Sequence, residues 1–111
     1  MKPTISYPDF EKLDIRAGKV IAASFPDWSN KLLRMEVDLG EEIGTRILFS
    51  GIRKYYQTEE VIGKIMPFIV NMEYKKMGDE ESQGMLVMVD TEEKPVLIFL
   101  NETVPLGSVV R

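Results

Sequence analysis

Lys31-Leu32-Leu33-Arg34-Met35-Glu36-Val37-Asp38-Leu39-Gly40 alternates apolar and charged side chains from Leu33 to Leu39 and then stops at a glycine. Period two is the mark of a strand with one face in a core and the other in water. Arg34, Glu36 and Asp38 therefore share the wet face. Upstream, Asp14 to Ala23 carries Ile15, Ala17, Val20 and Ile21, and the alternation slips near Gly18 and Lys19. That slip predicts one long curved strand with a glycine bulge. Ser24-Phe25-Pro26-Asp27-Trp28-Ser29-Asn30 holds turn-forming residues and joins the two strands. Downstream, Glu41-Glu42-Ile43-Gly44 suits a hairpin turn into a third strand at Ile47 to Phe49. Thr58 can cap a short helix with Glu59 and Glu60 in its first turn, and Gly63 can end it in the left-handed conformation.

Two further apolar runs follow, Ile65 to Val70 and Met85 to Val89, and then a hairpin through Asp90-Thr91-Glu92-Glu93-Lys94 into Val96 to Leu100. Pro95 fits the start of an edge strand, where no ladder donor is needed. Between those runs lies a long connection, Asn71-Met72-Glu73-Tyr74-Lys75-Lys76-Met77-Gly78-Asp79-Glu80-Glu81-Ser82-Gln83-Gly84. A connection of that length inside a small domain usually carries function or is disordered. This one combines a lysine pair for phosphates, an aromatic for bases and amide groups for base edges.

The bounds are narrow. A chain of 111 residues with 44% apolar composition is long enough for one core and too short for two, so residues 1–111 read as one domain. Neither a membrane-spanning run nor a signal segment is present, which predicts a cytoplasmic protein with no membrane partner. With no cysteine and no histidine, disulfides, thiolate nucleophiles and the commonest general base and soft-metal ligand are all missing. No catalytic constellation remains, and neither an enzyme nor a cofactor is expected. Glu36 with Asp38, and Asp79-Glu80-Glu81, are read as solvated acids and not as a metal site. A net charge of −4 argues against indiscriminate nucleic-acid binding, so any RNA contact must be local.

Three strands, a short helix and two more strands is the order of an all-β, five-stranded Greek-key barrel, the OB-fold. That fold binds oligonucleotides on strands two and three and on the loops joining strands one to two and four to five. Those are the two loops singled out by composition.

At Lys31-Leu32-Leu33, Ser50-Gly51-Ile52, Tyr55, Gly63-Lys64, Asn71 and Glu81-Ser82-Gln83-Gly84-Met85, the chain resembles a tRNA-binding domain. That domain is found alone as a dimeric tRNA-binding protein, and is similar to the C-terminal appendage of many methionyl-tRNA synthetases and to the endothelial-monocyte-activating polypeptide domain. The resemblance runs from about Phe10 to the C-terminus, and its most specific piece is Ser82 to Met85 at its distance from Asn71. It implies binding of tRNA by shape, a possible aminoacyl-tRNA synthetase partner, and a homodimer built from the extensions Met1 to Leu13 and Asn101 to Arg111. The first loop looks about one residue longer than is usual in the family. Met72-Glu73-Tyr74 replaces a common leucine, lysine and proline, which lowers positive charge. Glu41-Glu42-Ile43-Gly44 and Pro105-Leu106-Gly107 also look like the related CsaA-type secretion chaperone, which implies a rival ligand, extended peptide.

The candidate tRNA-binding residues are Trp28, Asn30, Lys31, Arg34, Asn71, Tyr74, Lys75, Lys76, Ser82, Gln83 and Met85. Lys31, Arg34, Lys75 and Lys76 can neutralise phosphates, or belong to an ordinary solvated surface. Ser82 and Gln83 can meet phosphate or base edges with Met85 as a soft apolar surface, or merely turn the chain into the last barrel strand. Trp28 and Tyr74 can stack on unpaired bases or cover the barrel end. Asn71 can face the ligand, or fix the long connection by bonding backbone, which is favoured slightly. Arg53, Lys54, Tyr55 and Tyr56 form a basic and aromatic cluster that can contact RNA or, the favoured reading, pack the helix through its tyrosines. The tRNA reading requires the four cations to gather on one rim and Ser82 and Gln83 to reach solvent.

Overall fold

Leu33, Met35 and Val37 are fully buried and their neighbours are not, as the alternation requires. In the computed structural model, which describes residues 1–111, the chain runs α1 (Tyr7–Glu11), β1 (Ile15–Ser24), β2 (Leu33–Asp38), α2 (Gly40–Ile43), β3 (Thr45–Ser50) and α3 (Thr58–Val61). There follow β4 (Ile65–Ile69), β5 (Lys75–Met77), β6 (Glu80–Ser82), β7 (Met85–Leu86), β8 (Met88–Asp90) and β9 (Pro95–Leu97). β3, β2, β1, β4 and β7 form one five-stranded antiparallel sheet in that order, while β5–β6 and β8–β9 are separate two-stranded ribbons.

β1 serves both halves of the sheet: Ile15 to Lys19 pairs with β4, and Lys19 to Ser24 pairs with β2. The register shift lies between Val20 and Ala22, so the irregularity falls at Ile21 and not at Gly18 as expected. Gly18 answers a different need. A Cβ there would lie 2.6 Å from Val37, 2.7 Å from Leu39 and 2.9 Å from Phe68, so the glycine lets the strand press onto the core. Val20, Leu33, Met35, Val37, Leu48, Met66 and Phe68 fill the barrel. Truncating the fully buried Phe68 to alanine in such a core costs about 3–5 kcal/mol.

The barrel is nearly closed, and closure comes from an unexpected quarter. The outer edge of β3 is satisfied by Ser82 and Gln83: the Gln83 N–H donates to the Ile47 carbonyl at 2.8 Å. Gln83 Oε1 accepts from the Ile47 N–H at 2.8 Å, and Ser82 Oγ accepts from the Phe49 N–H at 3.0 Å. Gly84 follows because a Cβ there would meet the Ile69 carbonyl oxygen at 2.7 Å. Ser82 and the carbonyl end of the Gln83 amide, expected as ligand contacts, are thus spent on the backbone of β3. Side chains stand in for a strand where the chain turns between β6 and β7.

Other differences are local. Residues 41–44 are not a plain hairpin turn but one helical turn, α2, set between Gly40 at φ 86° and Gly44 at φ 80°. The helix cap is Gln57 and not Thr58; its N–H donates to Glu60 Oε2 at 2.7 Å in a capping box. The run from Met85 to Val89 breaks into β7 in the sheet and β8, which leaves it to pair with β9. The C-terminal extension folds back: the Ala17 N–H donates to the Ser108 carbonyl and the Val110 N–H to the Ile15 carbonyl, lining the half of β1 that β2 leaves open. α1 buries no residue, although Ser6 caps it. No helix is long and apolar enough to cross a membrane.

Candidate nucleic-acid interface

Arg34 on β2 stands directly opposite Phe49 on β3, which puts both side chains on the outer face of the sheet. Two loops clamp onto that face. From the first loop, the Trp28 ring lies 5.9 Å from that of Phe49 between centroids. From the β5–β6 hairpin, Gly78 sits in the left-handed region at φ 63°, and a Cβ there would lie 2.8 Å from the Trp28 indole. Only glycine lets the turn and the indole meet. Arg34 completes the clamp with a bidentate pair to Glu80, both N···O distances 2.8 Å, and lies 3.5 Å from Glu36. The hydrogen bond to Glu80 raises the Arg34 pKa against the opposing effect of burial, and the same bond holds the Glu80 carboxyl below its ordinary range.

Lys75 and Lys76 project from the hairpin into solvent, and neither takes part in an ion pair. Acids are nevertheless near. Lys76 pairs in register with Glu81, and Lys75 lines a groove of about 230 Å³ with Glu73, Met72, Met77, Met85 and Phe49. Met85 is 44% exposed in that groove and Tyr74 47% exposed. The Arg46 guanidinium lies 5.7 Å from the Tyr74 ring centroid and donates to the Val70 carbonyl at 2.6 Å and the Gln83 carbonyl at 3.1 Å. Asn71 is occupied at both ends of its amide: Oδ1 accepts from the Asp14 N–H at 2.9 Å, and Nδ2 donates to the Lys12 carbonyl at 2.6 Å. Its geometry is that of the loop-fixing reading.

Asn30 and Lys31 lie elsewhere, in an open cleft of about 630 Å³ lined by Asn30, Lys31, Gly51, Arg53, Lys54 and Tyr55. Arg53 builds the wall: its guanidinium stacks 4.6 Å from the Phe25 ring centroid and donates to the Pro26 carbonyl at 3.0 Å and to the Ser29 carbonyl. The Ser29 hydroxyl accepts the Lys31 and Leu32 N–H groups, each at 3.2 Å. Of the two tyrosines expected to pack on the helix, Tyr56 is buried in the core with its hydroxyl donating to the Pro95 carbonyl of β9 at 2.7 Å. Tyr55 instead faces solvent. The adjacent Arg53-Lys54 pair was the sequence signal for this cleft. No group of acids that could hold a metal ion is present.

The family model described as "Putative tRNA binding domain" matches residues 15–109. The chain belongs to this family. Within the tRNA-binding family, it is 40% identical over 107 residues to the methionine–tRNA ligase of Pyrococcus horikoshii, which covers 96% of this chain and 14% of the ligase. It thus spans only a small part of the curated relatives it matches. The crystal structure of a MetRS related protein from Pyrococcus horikoshii superposes with TM-score 0.92 at 34% identity, covering 99% of this chain and 100% of that one. A chaperone CsaA from Bacillus anthracis superposes with TM-score 0.86 at 28% identity, covering 98% and 100%. The domain is a tRNA-binding module and is not the catalytic part of a synthetase.

The requirement that Ser82 and Gln83 reach solvent is met only by Gln83, which is half-buried, since Ser82 is 6% exposed. In this chain the Ser82 to Met85 segment closes the barrel through the bonds of Ser82 and Gln83 to β3. Of its residues Met85 offers an exposed side chain to a ligand and Gln83 the amino end of its half-buried amide. The tRNA assignment therefore rests on the family match and on the exposed cations, not on contacts by Ser82.

Proposed function

We propose that this chain binds tRNA by shape through its first-loop cleft and its β5–β6 hairpin, does no chemistry, and serves as an accessory to aminoacylation or tRNA stabilisation. The observation that carries the reading is the membership of residues 15–109 in the tRNA-binding family together with exposed Lys31, Lys75 and Lys76 on the two loops beside β2 and β3. Trp28, Asn30, Tyr74 and Met85 supply stacking and polar contacts between the phosphate contacts, while Arg34 and Asn71 hold the loops that present them. A cytoplasmic place follows from the ligand, and an aminoacyl-tRNA synthetase is the fitting partner.

The whole chain acts as one domain, and two copies form the working unit. Met1, Ile5, Tyr7 and Leu13 in the N-terminal extension and Val109 in the C-terminal one are all exposed apolar side chains suited to cover by a second copy. Joining two weak sites raises avidity without a new contact. Sedimentation should give a dimer, and a monomeric variant that still bound tRNA at full strength would remove this part of the reading.

Filter binding of bulk tRNA against an unstructured RNA of equal length tests the main reading: tRNA binds more tightly, and equal affinity for the two refutes binding by shape. A second reading, capture of extended apolar peptide, is favoured by the groove of Met72, Met77, Met85 and Phe49, since methionines adapt to varied surfaces. Peptide affinity would be nearly independent of salt, whereas tRNA affinity falls steeply with it.

A further inference from the structure

We infer that the cleft between the first loop and the segment after β3 is a pocket for one unpaired nucleotide of an RNA strand, with the base on Tyr55 and the phosphate between Lys31 and Lys54. This rests on the proposed tRNA binding and names the part of the RNA that the cleft takes. Four observations carry it. The volume of about 630 Å³ falls in the range of small-molecule sites and accommodates a nucleotide. Three of the lining residues, Lys31, Arg53 and Lys54, are cations and none is an acid, in a chain whose net charge is −4. Tyr55 is exposed at the rim with the Lys54 ammonium over one side of its ring, 5.7 Å from the centroid, so a base stacks on the ring where the cation stands aside or on the opposite face. Gly51 contributes no side chain, and a Cβ placed there meets nothing within 4 Å, leaving open space for a ligand.

The parts divide the work. Arg53 spends its guanidinium on the Pro26 and Ser29 carbonyls and the Phe25 ring, so it is a positioning residue that holds Asn30 and Lys31 at the mouth. Lys31 and Lys54 keep their charge for phosphate, because neither belongs to an ion pair. The Asn30 amide offers a donor and an acceptor to a base edge, which a stacked base on Tyr55 presents only when it is unpaired. A base inside a duplex cannot reach the ring, so the pocket selects a loop, bulge or strand end.

Filter binding of tRNA to the full chain and to Lys54→Glu, Tyr55→Ala and Tyr55→Phe tests this. Lys54→Glu should bind about tenfold more weakly with a salt slope smaller by about one. Tyr55→Ala should lose about fivefold or more, and Tyr55→Phe should restore wild-type affinity because the stacking face remains. If wild type binds tRNA and the folded Lys54→Glu and Tyr55→Ala variants bind equally well, the pocket is refuted while the tRNA reading stands. If wild type does not bind tRNA, the tRNA reading falls, and NMR titration with a single-stranded tetraribonucleotide decides the cleft. Shifts concentrated at the Asn30, Gly51 and Tyr55 amides support it, and their absence overturns it. Equal response to adenosine monophosphate makes it a free-nucleotide site and overturns the strand assignment.

Discussion

The two loop clusters beside β2 and β3 treat positive charge in opposite ways. Around the β5–β6 hairpin three cations have an acid at hand: Arg34 is clamped by Glu80, Lys76 faces Glu81, and Lys75 shares its groove with Glu73. In the first-loop cleft Lys31, Arg53 and Lys54 line the walls with no acid among them. A net charge of −4 therefore coexists with one cleft whose walls carry cations and no acid, the first loop's Asp27 lying outside its lining. Exposed charges are screened beyond about 8 Å at physiological ionic strength, so distant acids do little to cancel the charge of the cleft.

The comparison predicts unequal effects of charge reversal and of structural change. Lys31→Glu combined with Lys76→Glu should weaken tRNA binding about a hundredfold, about 2.7 kcal/mol, with the fold unchanged by circular dichroism. Most of that loss should come from Lys31, and an equal split would break the contrast between the clusters. Next in size, Gly84→Ala should destabilise the protein by about 2 kcal/mol in urea unfolding, because its Cβ meets backbone and not a movable side chain. Ser82→Ala should cost about 1–2 kcal/mol by leaving the Phe49 N–H unpaired, while the folded variant keeps its tRNA affinity. A Ser82→Ala protein of normal stability that no longer bound tRNA would restore Ser82 as a ligand contact.

The smallest effect belongs to the clamp. Arg34 and Glu80 are both partly exposed, so Glu80→Gln should cost about 0.5 kcal/mol or less. Its pH dependence has a definite sign. The folded Glu80 carboxyl titrates below its unfolded value, so its contribution is complete above the ordinary glutamate range and is lost as pH falls through the depressed folded value. Emission of Trp28, the sole tryptophan, should hold steady down through the ordinary range and redden below it as the hairpin loosens. Reddening that begins at or above the ordinary glutamate value would contradict the pairing.

Local patterns were legible where burial alone sets them. The Leu33 to Leu39 alternation, the left-handed Gly63 and Pro95 opening an edge strand each follow from one residue type in one backbone position. What stayed hidden depends on long-range pairing. Nothing near Ser82 and Gln83 says that their side chains close the edge of β3, since Ile47 and Phe49 lie far away in sequence. Gly18 read as a bulge because glycine in a strand serves two purposes, and only the packing of Phe68 and Val37 distinguishes them. Tyr55 and Tyr56 are adjacent yet face opposite ways, and no periodicity over so short a segment assigns them.

The most direct test is the dependence of tRNA affinity on salt concentration, measured for wild type and for Lys31→Gln. A local patch of free cations predicts a steep linear fall of log affinity with log salt, and a slope reduced by about one when Lys31 loses its charge. A flat wild-type line, or a slope that Lys31→Gln leaves untouched, contradicts it.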